Sequence, residues 1–262
     1  MMKRGVRFPK RCFFIIVFEG RTGSSYAVSC LNSHPDIFCY PEILAHHSAI
    51  EQQDILTRLA DGEKIEKSAQ VNLNPMYFHG GMKQAGVLQA VGFKAKLQDI
   101  WRVSDFYDYL YRYRFRLIYL KRRNIIKSAL SMLNAHHLVR EYGDGHWNAS
   151  RKGQVQGAFY VPPDDLLTQL QERIHLEKWH QRFFDLYEED KIQLSYEDML
   201  QDEGHFMSRM LGFLQVQQNT LRGRFLKNTP NRLQDAILNY DEIQRLFLNT
   251  YFERFFDDDL GC

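Results

Sequence analysis

Short apolar runs alternate along the chain with longer stretches in which apolar and polar residues are mixed. The runs of strand length lie at 12–18, 37–40, 91–95, 116–121 and 192–195. The first of them is apolar at every position, as expected of a strand buried on both faces of a parallel sheet. The stretches between the runs are long enough for helices. The pattern therefore predicts an α/β fold in three layers, a parallel sheet with helices on both faces.

Capping and breaking residues indicate where the predicted helices begin and end. We expect helices at about 24–32, 125–138, 166–189 and 196–214, and at least one more within 227–256. Pro35 follows the end of the first helix, and Asn124 can cap the second. Residues 143–165 break the rhythm with four glycines and two prolines. This composition indicates a long loop inserted in a single domain that spans the whole chain.

Composition excludes an intrinsically disordered, a collagen-like and a coiled-coil protein. The 262 residues are 44% hydrophobic and 25% charged, which is typical of a globular protein. The 34 basic and 32 acidic residues leave a net charge of +2, so we expect no nucleic-acid partner. The first apolar run has only seven residues, too few to span a membrane. The four cysteines show no paired spacing, which favours a reducing, cytoplasmic location and no structural zinc site.

The first predicted strand runs directly into a glycine-containing loop and then a helix. We call residues 19–25, with the sequence EGRTGSS, the anion loop. Such a turn aims backbone N–H groups and the positive end of the helix dipole at one point. Gly20 and Gly23 allow the backbone to approach a ligand closely. Hydroxyl donors are added by Thr22, Ser24 and Ser25. By itself the segment also fits a strand–helix turn that is merely capped by serine.

The anion loop differs from the loop of nucleoside triphosphatases. Those proteins carry a lysine just before the hydroxyl residue that holds magnesium, whereas the basic residue here is Arg21 at the start of the loop. They also need an acidic residue at the end of a neighbouring strand. The predicted strand at 116–121 ends instead in Lys121, Arg122 and Arg123. These cations predict a second anion site and no bound metal.

The second predicted anion site combines Arg123 with Ser131. Arg123 lies at a strand end, and Ser131 follows eight residues later on the helix face that also carries Asn124, Lys127 and Ser128. A guanidinium together with a hydroxyl group suits a terminal phosphate. The alternative is a solvated basic helix start, since basic clusters are common on surfaces.

These two motifs, in this order, resemble those of the sulfotransferases that use 3′-phosphoadenosine 5′-phosphosulfate (PAPS). The segment RTGSS at 21–25 resembles their 5′-phosphosulfate loop, and Arg123 with Ser131 resembles their 3′-phosphate site. The likeness is to the carbohydrate branch, which includes the trehalose and nodulation-factor sulfotransferases. The likeness consists of motifs in the same order through most of residues 13–215. Residues 143–165 have no counterpart in the family. The resemblance implies a P-loop-type fold, PAPS as co-substrate and no required metal.

The resemblance also implies roles for individual residues. The reaction would move a sulfuryl group in line to a hydroxyl of a carbohydrate, glycolipid or other small-molecule acceptor. Arg21 would stabilise charge on the sulfuryl oxygens. Glu42, at the end of the second predicted strand, occupies a place comparable to the catalytic glutamate of the trehalose enzyme and is the candidate general base. Burial near Tyr40 and Pro41 is expected to raise the pKa of Glu42 towards neutrality. The alternative is a glutamate that only caps the next helix.

Several other residues are candidates without a matching motif. His79 or His146 is the alternative candidate for the general base, since the aryl-type sulfotransferases use a histidine in this role. Lys94 ends the third predicted strand, where it either faces the ligand or is solvated. Lys227 lies in the tail, in a position suited to close over the nucleotide.

Two other functions remain compatible with the sequence. One is a P-loop small-molecule kinase that uses ATP, which magnesium dependence would reveal. The other is a non-catalytic nucleotide-binding module of the same fold, which would bind nucleotide without turnover.

Overall fold

The computed structural model describes residues 11–63, 75–78, 88–143, 158–227 and 229–256. At its centre is a parallel sheet of five strands, which are β1 (Cys12–Phe18), β2 (Ile37–Tyr40), β3 (Ala90–Ala95), β4 (Arg116–Lys121) and β5 (Lys191–Ser195). Their order in the sheet is β2-β3-β1-β4-β5. The five predicted strands are confirmed, two of them beginning one residue earlier than expected. The central strand β1 is fully buried from Phe14 onward, in keeping with its unbroken apolar sequence.

Helices connect and cover the strands. Within the described part of the chain they are α1 (Ser24–Leu31), α2 (Ala49–Ala60), α3 (Val103–Arg112), α4 (Ile125–Tyr142), α5 (Pro163–Leu186), α6 (Tyr196–Gln201), α7 (Glu203–Leu214), α8 (Leu233–Ala236) and α9 (Tyr240–Leu246). The predicted helices at 24–32 and 125–138 correspond to α1 and α4. The predicted helix at 166–189 corresponds to α5, which begins earlier because Pro163 occupies its first turn.

The prediction of one helix over 196–214 is wrong. Asp202 has extended backbone angles (φ −149°, ψ 91°) that end α6. Its side chain then accepts a hydrogen bond from the backbone N–H of His205 and caps α7. An aspartate that satisfies the free N–H groups of a new helix start makes the interruption stable.

Strand order places helices on both faces of the sheet. The connection from β1 to β2 passes β3 in one direction, whereas the connections from β3 to β4 and from β4 to β5 run the other way. Because parallel crossovers are right-handed, connections in opposite directions cover opposite faces. The three-layer α/β arrangement of P-loop type is thereby confirmed. The chain direction reverses beside β1, and ligands bind at such a point, outside the carboxyl ends of the strands.

A second apolar cluster lies away from the sheet and joins the tail to α4 and α5. Its buried members include Ile126, Leu130, Leu170, Ile243 and Phe247. The end of the predicted loop insertion is tied to the same cluster, because residue 159 forms a parallel bridge with residue 237. Residues 144–157 lie outside the described part of the chain, as do the candidate bases His79 and His146. Among the described helices, none is both long and apolar enough to cross a membrane.

Candidate active site

The carboxyl ends of the strands border a cavity of 570 Å³. The polar residues that line it are Arg21, Ser24, Ser25, Tyr26, Glu42, Lys94, Lys96, Arg122, Ser131, Tyr196, Glu203, Lys227 and Thr229. They come from the ends of β1, β2, β3 and β4, from α1, α4, α6 and α7, and from the tail. Of the residues predicted for the site, the cavity brings together Arg21, Gly23, Ser24, Ser25, Glu42, Ser131 and Lys227.

Gly23 gives the anion loop a backbone conformation that favours glycine. Gly23 precedes the first turn of α1 with φ 77°, a left-handed conformation that favours glycine. A Cβ atom at this position would lie 2.6 Å from the ring of Tyr196, so space as well as conformation requires glycine. Gly23, Ser24 and Ser25, at the N-terminal end of α1, all line the cavity.

Thr22 lies in the loop but does not line the cavity. Its hydroxyl donates a hydrogen bond of 2.9 Å to the backbone carbonyl of Glu19, and its side chain is buried. Thr22 was predicted to bind the ligand. In the structure its hydroxyl instead stabilises the loop, and of the hydroxyl-bearing residues of the loop, Ser24 and Ser25 line the cavity.

Arg21 joins the two predicted anion sites. Its Nε donates a hydrogen bond of 3.1 Å to Oγ of Ser131, 110 residues later on α4. Burial, reinforced by the nearby guanidinium groups of Arg122 and Arg173, lowers the pKa of Arg21 to about 10. Arg21 therefore stays charged at neutral pH, and the like charges around it favour an anion in the cavity.

Arg123 is not brought to the cavity. Its Nη1 donates a hydrogen bond of 2.9 Å to Oδ1 of Asp198, and its Nε lies 4.0 Å from Oε2 of Glu197. The side chain is half exposed. The neighbouring Arg122 lines the cavity instead, with its guanidinium 4.7 Å from the centre of the Tyr196 ring.

Glu42 is held between two lysines. Lys94 Nζ lies 3.0 Å from Oε1 of Glu42, and Lys96 Nζ lies 2.7 Å from Oε2. Burial of the carboxyl group opposes ionisation, but the two ammonium groups outweigh it and lower the pKa of Glu42 to about 2. The expectation of a pKa raised towards neutrality is therefore wrong. The expectation considered the burial of Glu42 but not the two ammonium groups beside it, which come from Lys94 in β3 and from Lys96 just after that strand.

Lys94 also connects Glu42 to the anion loop. Its side chain is only 1% exposed, and its Nζ donates hydrogen bonds to Oγ of Ser25 and to the hydroxyl of Tyr77. The ammonium group lies 4.9 Å from the ring centre of Phe18. Of the two alternatives for Lys94, the structure shows the one that faces the ligand edge.

Lys227 lines the cavity from the tail, next to Phe225 and Leu226. Its ammonium group contacts the side-chain oxygen of Asn231. The tail thus reaches the same cavity as the anion loop, as the sequence predicted. Lys227 remains exposed, so its position depends on the short segment around it.

A buried polar group outside the cavity lining supports the anion loop and was not predicted. Arg173 of α5 is 2% exposed and donates a hydrogen bond of 2.5 Å from Nη1 to the carbonyl of Gly20. Glu19 accepts a hydrogen bond of 3.2 Å from the hydroxyl of Tyr119. Burial raises the pKa of Glu19 to about 7 against the opposing effect of Arg173. The only sequence signal for this group is an arginine within the apolar face of a helix.

Comparisons with known proteins agree with the motifs. The chain is 23% identical to nodulation protein H of Rhizobium tropici over 260 residues, which covers 94% of this chain and 93% of that protein. No family model matches. A sulfotransferase from Alicyclobacillus acidocaldarius is 17% identical with a TM-score of 0.45, covering 91% of this chain and 92% of that one.

Mouse sulfotransferase SULT7A1 complexed with PAP is 14% identical with a TM-score of 0.42, covering 81% of this chain and 62% of that one. Because both TM-scores are below 0.5, the assignment rests on the full-length relative and on the motifs. The strand–loop–helix segment at 13–25, the parallel sheet and the similarity to nodulation protein H along nearly the whole chain together confirm the resemblance seen in the sequence. The chain therefore resembles the PAPS-dependent sulfotransferases.

Proposed function

We propose that this sulfotransferase moves a sulfuryl group in line from PAPS to a hydroxyl of a carbohydrate, glycolipid or other small-molecule acceptor. The observation that carries the proposal is the charge of the cavity. Among the described residues, five cationic side chains line it, against the two carboxylates Glu42 and Glu203. A surplus of positive charge in a recess at the strand ends suits a donor that carries several negative charges.

The donor supplies an activated sulfuryl group, and the protein holds its anionic ends. The N-terminal turn of α1, with Gly23, Ser24 and Ser25, is the proposed site for the phosphosulfate. Arg21 lies beside this turn, where its guanidinium would stabilise charge on the sulfuryl oxygens and the leaving phosphate. Ser131 contacts Arg21 and is proposed to bind the 3′-phosphate. Lys227 would approach the nucleotide from the tail.

Glu42 is the proposed base for the acceptor hydroxyl. Its carboxylate is ionised at neutral pH and is therefore always ready to accept a hydrogen bond. A group with a pKa of about 2 is a weak base, but Lys94 is shared between Glu42 and Ser25 of the anion loop. Negative charge bound at the loop would draw Lys94 away from Glu42, and this raises the proton affinity of the carboxylate.

Histidine is the less favoured base. None of the histidines that the structure describes lines the cavity. The described carboxylates that do are Glu42 and Glu203, and Glu203 accepts a hydrogen bond of 2.7 Å from the hydroxyl of Tyr26. Glu42 is thus the carboxylate that lies beside a lysine in contact with the anion loop.

The wall of the cavity supports an acceptor that is partly apolar. Met132, Ala135 and Val139 line it from one face of α4, and Leu200 and Leu226 line it from α6 and the tail. Val139, Leu200 and Leu226 are partly exposed. Such a surface suits a sugar linked to a lipid, in agreement with the carbohydrate branch that the anion loop resembles.

Transfer from labelled PAPS to a panel of oligosaccharides and glycolipids tests the proposal. We expect acceptor-dependent release of adenosine 3′,5′-bisphosphate (PAP). The release should persist in the presence of a chelator, because the sequence predicts that no metal is required. Phosphate transfer from ATP that requires magnesium would instead support the small-molecule kinase. Binding of PAP without any turnover would support the non-catalytic module.

Substitution of Glu42 tests the proposed base. Glu42→Gln should retain PAP binding and lose turnover by about 100-fold or more, the usual contribution of a positioned base. The surface substitution Glu63→Gln, at an exposed carboxylate paired with Arg58, is the matched control and should leave both unchanged. Normal turnover by Glu42→Gln would refute the assignment of the base.

A further inference from the structure

An exposed tryptophan lies at the carboxyl edge of the sheet. Trp101 comes shortly after the 3-10 turn Leu97–Asp99 that follows β3, and its side chain is 71% exposed. Its indole Nε1 donates a hydrogen bond of 2.6 Å to the carbonyl of His47, and its backbone N–H donates one of 3.3 Å to Oε1 of Gln52. Single exposed apolar side chains are common, but this ring has lost the rotational freedom that such side chains usually keep. Its fixed orientation therefore points to a contact made outside the core.

A buried glutamine fixes the segments around Trp101. Gln52 of α2 is only 5% exposed. Its Nε2 donates hydrogen bonds of 2.7 Å to the carbonyl of Leu44 and of 2.6 Å to the carbonyl of Asp99. Together with the hydrogen bond that Gln52 accepts from Trp101, these contacts join the segment after β2 to the segment after β3. The tryptophan therefore belongs to a cross-linked part of the surface.

Charged side chains connect the cavity to the segment that carries Trp101. We call Glu42, Lys96 and Asp99 the polar strip. Lys96 Nζ lies 2.7 Å from Oε2 of Glu42 and 3.6 Å from Oδ2 of Asp99, and each of the three side chains is about a quarter exposed. Glu42 and Lys96 line the cavity. The chain from Lys96 to Trp101 spans at most about 18 Å between Cα atoms, so the tryptophan lies near the proposed base.

Polar groups flank the indole on both sides along the chain. On one side, Oδ2 of Asp99 has no hydrogen-bond partner among the described residues, because Lys96 at 3.6 Å is too far away to donate one. The Asp99 carboxyl group therefore has unused capacity to accept hydrogen bonds from hydroxyl groups. On the other side, Arg102 and Asp105 form an exposed ion pair of 3.4 Å. A ligand for this surface would combine a flat apolar face with a hydroxylated edge.

These features favour a sugar over a second protein. A pyranose ring has an apolar face of C–H groups and an edge of hydroxyl groups, so it can stack on an indole while its hydroxyls meet carboxylates. An aromatic side chain contributes about 150–250 Å² of contact area, whereas a stable protein interface needs about 800 Å² from each partner. Even with the exposed Ile50 of α2, the apolar area here falls short of that. Carboxylates such as Asp99 are also depleted from the cores of protein interfaces.

We propose that Trp101 is a stacking platform for a sugar ring of the acceptor, and that the polar strip lies under the acceptor between this platform and Glu42. Trp101 does not line the cavity, so the ring that stacks on it is not the ring that receives the sulfuryl group. The inference rests on the proposed function and narrows its acceptor to an oligosaccharide or an oligosaccharide-bearing lipid. The acceptor would enter from the side of β2, while the anion loop and α4 hold the donor.

Calorimetric titration of neutral oligosaccharides in the presence of PAP tests the inference. The probes are cellotetraose and maltotetraose, which differ in the linkage and therefore in the orientation of successive rings. We expect the wild-type protein to bind at least one of them. Trp101→Ala should weaken that binding about 10-fold, the order expected for one lost aromatic contact, and change the affinity for PAP less than about 2-fold. Trp101→Phe keeps a ring and should lose less than about 3-fold.

Tyr111→Ala is the matched control. It removes another exposed aromatic ring, 47% exposed, near the end of α3 that leads to the amino end of β4. This end of the sheet lies opposite the cavity, so neither the tetrasaccharide nor PAP should bind differently. A second measurement uses the wild-type protein alone. A bound tetrasaccharide should reduce the quenching of tryptophan fluorescence by acrylamide, and this protection should vanish in Trp101→Phe.

Four results would overturn the inference. They are binding of PAP without binding of either tetrasaccharide, unchanged tetrasaccharide binding in Trp101→Ala, equal losses of tetrasaccharide and PAP binding in that variant, and a wild-type dimer that Trp101→Ala converts to a monomer in sedimentation velocity. The last result would assign the ring to a second copy of the chain. If Trp101→Ala does not fold, the absence of protection from acrylamide in the wild type would count against the inference. Failure of the wild-type protein to bind PAP would instead refute the proposed function itself.

Discussion

The contact between Lys96 and Glu42 sets the charge state of the proposed base, and its strength can be measured. The pKa of Glu42 falls from an ordinary 4.5 to about 2, which corresponds to about 3 kcal/mol of interaction that favours the carboxylate. Lys94 and Lys96 share this effect, each bound to one carboxylate oxygen. Removal of Lys96 alone is therefore expected to remove about half of it, on the order of 1–2 kcal/mol.

A double-mutant cycle isolates this energy. The variants are Lys96→Met, Glu42→Gln and the combination, each unfolded by urea at pH 7 and at pH 3. Because the pKa of Glu42 is lower in the folded protein than in the unfolded chain, its stabilising effect is complete above pH 4.5 and declines as the pH falls towards 2. We expect a coupling energy of about 1–2 kcal/mol at pH 7 and a smaller one at pH 3.

The exposed pair of Arg58 and Glu63 provides the control cycle. Their side chains are 40% and 57% exposed at a distance of 3.1 Å, so their coupling should stay below about 1 kcal/mol. A coupling between Lys96 and Glu42 that is no larger than this control, or that does not change with pH, would refute the reasoning. It would show that Lys96 does not determine the ionisation of Glu42.

Three further predictions concern the anion loop and the tail. Gly23→Ala places a side chain at a left-handed φ and 2.6 Å from the Tyr196 ring, so it should weaken PAP binding at least about 10-fold. PAP binding like that of the wild type would contradict this account of the loop. The raised pKa of Glu19 makes its contribution to stability greatest below pH 4.5 and lost as the pH rises through 7. Glu19→Gln should therefore flatten the change in urea stability between pH 5 and 8, and an unaltered change would argue against this buried acid. Lys227→Ala should raise the KM for PAPS a few-fold without lowering the Tm, because the side chain is exposed at the edge of the cavity; an unchanged KM would remove Lys227 from the site.

The strands and the anion loop were predictable because their signals are local. Each strand contains apolar residues that the sheet buries in whole or in part, and Gly23 of the loop adopts a conformation that favours glycine. Helix α2 carried a local signal as well, since Ser48 and Glu51 form a reciprocal capping box, but it was not predicted.

The charges of the site were not predictable because they depend on distant segments. Which of Arg122 and Arg123 faces the cavity is decided by Asp198, 75 residues further along the chain. The low pKa of Glu42 depends on β3 lying next to β2, and a sheet order of this kind cannot be read from the runs themselves. The support that Arg173 gives to Gly20 spans 153 residues.

Thr22 and Arg173 donate hydrogen bonds to backbone carbonyls of the anion loop, and neither side chain lines the cavity. The loop is therefore already ordered in the folded protein, and nucleotide binding costs little additional conformational entropy of the loop. A loop that is ordered in this way would bind the desulfonated product through the same backbone N–H groups as the donor. We expect departure of that product, rather than the transfer itself, to limit the rate at which the enzyme completes a cycle.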